Sequence, residues 1–147
     1  MTLTLRDMTV QDIDSVLHIE QEVHTHPWTR GNFSDALASD YLCKVAEFDQ
    51  VEVGYAVLMQ GVDDAELLDI GISLPFQRRG FGRMLLDVML GLARELGKQR
   101  VVLEVRASNT AAIELYQVSG FSEIGLRRNY YASQTGREDA ILMGCEL

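Results

Sequence analysis

The sequence predicts an α/β domain built on a mixed, mostly antiparallel central sheet flanked by helices. Three observations carry this. Short apolar runs of strand length alternate with amphipathic helical stretches in the order β-α-α-β-β-β-α-β-α-β-β. Three of the strand-like runs follow one another with only turns between them, which favours antiparallel neighbours. The chain has 147 residues, 47% of them hydrophobic, which suits one domain with a proper core. No linker, repeat or low-complexity stretch divides it, so a single domain over 1–147 is expected.

Residues 2–6 alternate Thr and Leu and read as the first strand. Thr9 looks like a helix N-cap, with Asp12 in the first turn. Ile13, Val16, Leu17 and Glu20 keep a helical period to about His24, and Pro27 breaks the chain. Thr29 can cap a second short helix through Phe33 and Leu37. Runs 41–47 and 53–59 are strand-like, with a turn at Asp49 and Gln50. A third, 65–74, is apolar and bounded by Asp63, Asp64 and Pro75. From Gly82 the period becomes 3.6: Leu85, Leu86, Met89, Leu92, Ala93 and Leu96 share a face, and Gly97 stops it. Run 100–105 is a strand. Ser108 or Asn109 caps a helix through Ile113 and Tyr116 that ends at Gly120. Runs 121–126 and 140–147 read as the last two strands.

The net charge of −9 is unevenly spread. Residues 1–75 carry fourteen acids against three bases, and residues 76–147 carry eight acids against ten bases. An anionic cofactor would suit the second half and a cationic substrate the first, although lopsided surface charge is also common without either. No basic patch dominates, so no direct nucleic-acid partner is expected. No apolar stretch approaches a membrane span, and no signal peptide is expected at the N-terminus. A cytoplasmic location follows as an expectation. Cys43 and Cys145 each sit in an apolar strand-like run and read as buried free thiols. No Cys/His cluster has metal-ligand spacing, and His24 and His26 stand alone, so no metal is expected.

The strongest local signal is Gln77-Arg78-Arg79-Gly80-Phe81-Gly82, after a strand and opening an amphipathic helix. Glycines let the backbone turn sharply and approach a ligand. The free N–H groups of a helix N-terminus then face an anion such as a pyrophosphate. Arg78, Arg79 and Arg83 add counter-charge. The pattern is neither a Walker loop nor G-x-G-x-x-G, and a plain strand-to-helix turn is the bland alternative.

At Gln77, Gly80 and Gly82 the chain resembles the GNAT acetyltransferase superfamily, whose motif is Gln/Arg-x-x-Gly-x-Gly/Ala; the element order agrees along essentially the whole chain. The resemblance implies the GNAT fold, with a splayed, V-shaped opening for acetyl-CoA as co-substrate. It implies that N–H groups over 77–82 hold the coenzyme A pyrophosphate. It also implies that the backbone of Ile70, Gly71 and Ile72 pairs with the pantetheine arm. The family more often has Ala-Val where this chain has Gly71-Ile72. A bulge residue is the plain reading of Gly71.

A second constellation is Leu103-Glu104-Val105-Arg106-Ala107-Ser108-Asn109, followed by Ala111-Ala112-Ile113-Glu114-Leu115-Tyr116 and Gly120-Phe121. A carboxylate inside an apolar strand is expensive unless paired, hydrogen-bonded or wet. Glu104 therefore either faces solvent or works as a base, and Tyr116 is either a core tyrosine or an acid. This segment, Arg127 to Tyr131 (RRNYY), Gly136 to Ile141 (GREDAI) and the His24, Pro27, Trp28 set resemble the RimI family of ribosomal-protein-alanine N-acetyltransferases. That narrower resemblance implies transfer of acetyl to the α-amine of the N-terminal alanine of small-subunit ribosomal protein eighteen. It implies Glu104 as general base, Tyr116 as general acid and Asn109 beside the pantetheine. The chemistry is consistent: an α-amine has a reference pKa near ~8, a thiol near ~8.5 and a phenol near ~10. Backbone donors near Ile72 would polarise the thioester carbonyl.

Trp28, between the first two helices, and Tyr130 and Tyr131, between the last two strands, would line the acceptor side. Glu20, Glu22, Asp35 and Asp40 would suit a basic peptide, although each is also an ordinary solvated acid. Arg127 and Arg128 are expected to pair with Glu138 or Asp139 on the neighbouring strand. Two other functions stay open: a GNAT enzyme for lysine or a small amine, and an acyl-CoA-binding scaffold without catalysis.

Overall fold

The computed structural model describes residues 2–147. The described residues form seven strands and four α-helices, in the order expected. Hydrogen-bonded neighbours follow the order β1 (Thr4–Asp7), β2 (Leu42–Phe48), β3 (Val51–Gln60), β4 (Asp64–Ile72), β5 (Arg100–Arg106), β7 (Gly136–Glu146), β6 (Ser122–Ser133). The chain divides into two compact units: residues up to 60 with 67–89, and residues 61–66 with 90–147.

The first unit holds β1 (Thr4–Asp7), α1 (Ile13–Val23), α2 (Arg30–Ala38), β2 (Leu42–Phe48) and β3 (Val51–Gln60). It also holds the later part of β4 (Asp64–Ile72) and the start of α3 (Phe81–Glu95). β1, β2 and β3 pair antiparallel. The β2–β3 hairpin closes on Asp49 and Gln50, both at positive φ (52° and 64°), the backbone of a two-residue primed turn. Val16, Ile19, Phe33, Val45, Tyr55 and Val57 form the core between α1, α2 and the sheet. These are the residues on the apolar helical period and the alternate strand positions. Thr9 caps a short 3-10 turn over Val10–Asp12, one turn ahead of α1, its N–H donating to Asp12 Oδ2 at 2.8 Å. Thr29 caps α2 as expected, accepting from Asn32 N.

The second unit contains the beginning of β4, the end of α3, β5 (Arg100–Arg106), α4 (Thr110–Val118), β6 (Ser122–Ser133) and β7 (Gly136–Glu146). β4 and β5 pair in parallel from Asp64↔Arg100 to Glu66↔Val102, while each strand continues beyond that stretch. β5–β7 and β7–β6 are antiparallel. β5 alternates strictly: Val101, Leu103 and Val105 are buried on one face, and Val102, Glu104 and Arg106 lie on the other. Asn109 caps α4, accepting from Ala112 N at 3.3 Å.

Several boundaries differ from the sequence expectation. β4 stops at Ile72 because Pro75 turns the chain into a 3-10 segment, Leu74–Phe76. α3 opens at Phe81 rather than Gly82. β6 and β7 are much longer than 121–126 and 140–147, so Tyr130 and Tyr131 lie within a strand and not in a loop. Cys43 and Cys145 are buried free thiols; burial pushes the Cys43 thiol up to about 11 and raises that of Cys145.

Candidate active site

In the first unit the glycine turn leaves regular structure at Gln77 and passes through Arg78 (φ 61°) and Gly80 (φ 86°). A Cβ at Gly80 would meet nothing within 4 Å, so the glycine serves the backbone angle and not space. The α3 ladder begins with Met84 N–H on the Gly80 carbonyl at 3.1 Å. The N–H groups of Phe81, Gly82 and Arg83 therefore have no acceptor within the helix, the condition for holding an anion. Arg78, Arg79 and Arg83 are exposed around them. The Arg79 guanidinium lies 5.4 and 5.3 Å from the rings of Phe76 and Phe81, which fixes its direction. Gln77 Nε2 donates to the Ile72 carbonyl at 3.0 Å and ties the turn to the end of β4.

Gly71 makes room for a side chain. A Cβ there would lie 2.3 Å from the Tyr55 hydroxyl and 2.6 Å from its ring carbon Cζ. The tyrosine occupies the space an alanine methyl would need. Its hydroxyl donates to the buried Glu20 Oε1 at 2.5 Å, and Glu20 Oε2 accepts from Trp28 N at 3.0 Å. Glu20 is 1% exposed, so it is not one of the surface acids that would meet a basic peptide. Glu22, Asp35 and Asp40 are exposed, and Glu22 pairs with His18. Trp28 is half-buried against Phe33, ring centroids 5.1 Å apart.

His24 does not stand alone. Its Nε2 is 2.9 Å from the Ile70 carbonyl, 3.3 Å from Asp69 Oδ1 and 3.6 Å from Glu20 Oε1. A carbonyl only accepts, so Nε2 carries the proton. Helix geometry hid this set: Glu20 and His24 are i and i+4 on α1, but Asp69 is far away in sequence. One ligand atom from each of Glu20, His24 and Asp69 falls within 4.8 Å of the others, a spacing a cation could span. Glu20 Oε1, Glu20 Oε2 and His24 Nε2 are, however, already engaged by Tyr55, Trp28 and Ile70, so the geometry is that of an ion-pair network. Burial opposes the charged imidazolium, but Asp69, Glu20 and the Ile70 carbonyl outweigh it and raise His24 to about 9. Burial, then Asp69, pushes Glu20 up to about 8 against the pull of His24 and Tyr55.

The second unit assembles a cluster around Glu104. Its carboxylate is half-buried and lies 3.3 Å from Arg127 Nε of β6. Glu66, opposite Val102, shares the face; burial and the charge of Glu104 both raise its carboxyl. Burial followed by Glu104 raises Tyr131. The Tyr130 and Tyr131 rings meet edge to face at 5.0 Å. Arg127 lies 5.2 Å over Tyr130, and Arg106 lies 4.3 Å over Tyr131. Arg127 therefore pairs with Glu104, not with Glu138 or Asp139 as expected.

Those two acids have other work. Glu138 binds Arg106 Nη1 at 2.9 Å and Ser108 N at 3.2 Å; Asp139 Oδ1 accepts from Asn129 N at 2.9 Å. Between Arg127 and Tyr131, four residue steps on β6 face two on β7, so the strand bulges, with Asn129 at φ 52°. Arg137 completes the clamp, donating to the Asn129 and Tyr130 carbonyls at 3.0 and 2.7 Å. The RRNYY and GREDAI segments are thus the two sides of one bulge that aims the tyrosines. Arg106, Arg137, Glu138 and Asp139 were not singled out from sequence as site residues, because their roles depend on that register. Tyr116 is buried against Phe121, ring centroids 5.7 Å apart, and Asn109 spends its amide oxygen on the α4 cap.

With this geometry in view, the likenesses to known proteins are specific. The acetyltransferase (GNAT) family model matches residues 13–121. The [ribosomal protein bS18]-alanine N-acetyltransferase of Escherichia coli (strain K12) is 37% identical over 140 residues, 95% of each chain. The enzyme of the same name from Salmonella typhimurium is 39% identical over 140 residues, again 95% of each chain. The crystal structure of the ribosomal-protein-S18-alanine N-acetyltransferase from Escherichia coli superposes with a TM-score of 0.90 at 36% identity, over 99% of this chain and 94% of that one. The seven-stranded sheet, the glycine turn heading α3 and a family match over most of the length agree: this chain belongs to the acetyltransferase (GNAT) family.

Proposed function

We propose that this protein transfers acetyl from acetyl-CoA to the α-amine of the N-terminal alanine of ribosomal protein bS18. The observation that carries the reading is near-full-length similarity, at 37–39% identity, to enzymes that bear this activity in their names. Acetyl-CoA would lay its pyrophosphate on the N–H groups over 77–82 and its pantetheine along the backbone of Ile70, Gly71 and Ile72. The free amine attacks the thioester carbonyl carbon, the C–S bond breaks, and an amide forms. Glu104 takes the proton the amine loses, directly or through water. Tyr116 gives a proton to the departing thiolate. Such acid–base help is typically worth ~10²–10⁴-fold. Trp28, Tyr130 and Tyr131 would line the acceptor, and the acetylated segment would be met in the cytoplasm. Among the described residues no helix is long and apolar enough to cross a membrane.

The test is mass spectrometry of a peptide copying the bS18 N-terminus, incubated with enzyme and acetyl-CoA. A control peptide has its α-amine blocked and a lysine free. Acetylation confined to the free α-amine is the expected result. Acetylation of the lysine would replace this reading with a lysine acetyltransferase. Binding of acetyl-CoA without transfer to either peptide would replace it with a scaffold.

A further inference from the structure

The network of Glu20, His24, Asp69 and Tyr55 touches the two parts of the first unit that the proposed function uses. His24 Nε2–H reaches the carbonyl of Ile70 in β4, the strand assigned to the pantetheine. Glu20 Oε2 reaches the amide of Trp28, the aromatic residue assigned to the acceptor side. Its members come from three elements: Glu20 and His24 from α1 and its C-cap, Tyr55 from β3, Asp69 from β4. The side-chain groups facing His24 are Glu20 and Asp69, with Tyr55 behind Glu20. Among the described residues Asp69 Oδ2 is buried without a hydrogen-bond partner. Buried polar groups of this kind are costly unless satisfied, and here the satisfying donor is the imidazole. Gly71, with no methyl in that space, is what lets the Tyr55 hydroxyl enter the set.

We propose that His24 is a positioning residue for the acyl donor and acceptor: its N–H, held by Asp69 and Glu20, fixes the Ile70 carbonyl while Glu20 fixes the Trp28 amide, and the imidazolium charge keeps the two buried carboxyl groups drawn together around it. The chemistry is a proton-dependent brace, not a reacting group. A neutral imidazole keeps its Nε2–H on Ile70 but gives up the positive charge that balances Asp69 and Glu20, which weakens that bond and leaves two carboxyl groups beside each other. The raised affinity of His24 and Glu20 for protons places that loss on the alkaline side of neutrality. This inference rests on the assignment of β4 and Trp28 to the donor and acceptor.

The experiment is calorimetric binding of acetyl-CoA to the full-length protein between pH 7.5 and 9.5, without acceptor. Acetyl-CoA has no thiol to titrate in that window. The expected result is a Kd that weakens about tenfold with rising pH, the difference between a charged and a neutral hydrogen-bond donor. In His24→Gln the pH step shrinks to the part due to Glu20. Glu20→Gln keeps the donor and acceptor shape of a protonated Glu20; it should fold and retain only the part of the step due to His24. The KM for the peptide should rise over the same range with kcat changed less, which a merely structural defect would not separate. An identical pH profile in wild type and His24→Gln overturns the proposal. A comparable change in Kd on adding zinc at constant pH, with zinc retained on dialysis, would overturn it in favour of a cation site. Because acetyl-CoA binding needs no acceptor, a protein that binds it with this pH step but acetylates neither peptide would refute the substrate and not the brace.

Discussion

At the scale of single residues, Glu104 is set apart by its place in a strictly alternating strand. Its neighbours Leu103 and Val105 are buried, and it occupies the other face beside Arg127, Tyr131 and Glu66. Replacing it with Gln preserves shape and hydrogen bonding but removes the base. Glu104→Gln should lower kcat by ~10²–10⁴-fold with the Kd for acetyl-CoA within about twofold, read by steady-state kinetics and calorimetry. Equal kcat would remove Glu104 from the chemistry. Gly71 makes a prediction of a different kind. An alanine methyl would overlap the Tyr55 hydroxyl and ring, so Gly71→Ala should cost about 1–3 kcal/mol in urea unfolding. No loss would mean that Tyr55 swings away at little expense. Glu104 was legible in sequence because a charged residue interrupts an apolar run. The partner of Arg127 was not, because Arg127 stands opposite Ala140 of β7 and its carboxylate partner lies one strand further on, in β5.

Among the elements, the long β6–β7 hairpin is where sequence patterning reads least. β6 is exposed along most of its length, so it has no apolar alternation, and a bulge of two extra residues breaks any period that remained. The elements with one buried face were legible nearly to the residue, as α1, α3 and β5 illustrate, because one face of each must meet a core. The bulge is held by few bonds: Asp139 to Asn129 N, and Arg137 to the Asn129 and Tyr130 carbonyls. Asp139→Ala removes the acceptor and leaves an exposed N–H to water. Its stability cost should stay near ~1 kcal/mol, while the KM for the acceptor peptide rises several-fold and the Kd for acetyl-CoA is unchanged. A fall in kcat alone would place the bulge in the chemical step instead. The β2–β3 turn offers a control far from these residues in sequence. Asp49 and Gln50 both adopt positive φ, so Asp49→Asn with Gln50→Gly should raise stability by about 0.5–1 kcal/mol and leave kinetics untouched.

For the molecule as a whole, two sets of groups give stability opposite pH slopes. Asp12, hydrogen-bonded by Arg6 and then Thr9, is held down to about 2. Its contribution is full above the ordinary carboxylate range and is lost as pH falls towards 2. Glu20 and His24 act the other way. The folded protein keeps their protons to about 8 and about 9, whereas the unfolded chain releases them near 4.5 and 6.5. The native state therefore binds more protons than the unfolded state from about pH 4.5 to about pH 9, and stability must fall as pH rises through that window. The net charge of −9 at pH 7 adds self-repulsion in the same direction. The urea midpoint of wild type should thus be higher at pH 5.5 than at pH 7.5, and lowest near pH 9. Glu20→Gln should flatten the decline below about pH 8, and His24→Gln the decline between about 6.5 and 9. Charge repulsion alone would leave the slopes of wild type and both variants parallel, so the difference between slopes, not the decline itself, reports the buried network. A protein tuned this way is most stable on the acid side of neutrality, while its amine substrate is a better nucleophile on the alkaline side, where more of it is unprotonated. The working pH then falls between a brace that needs its protons and an acceptor that must lose one.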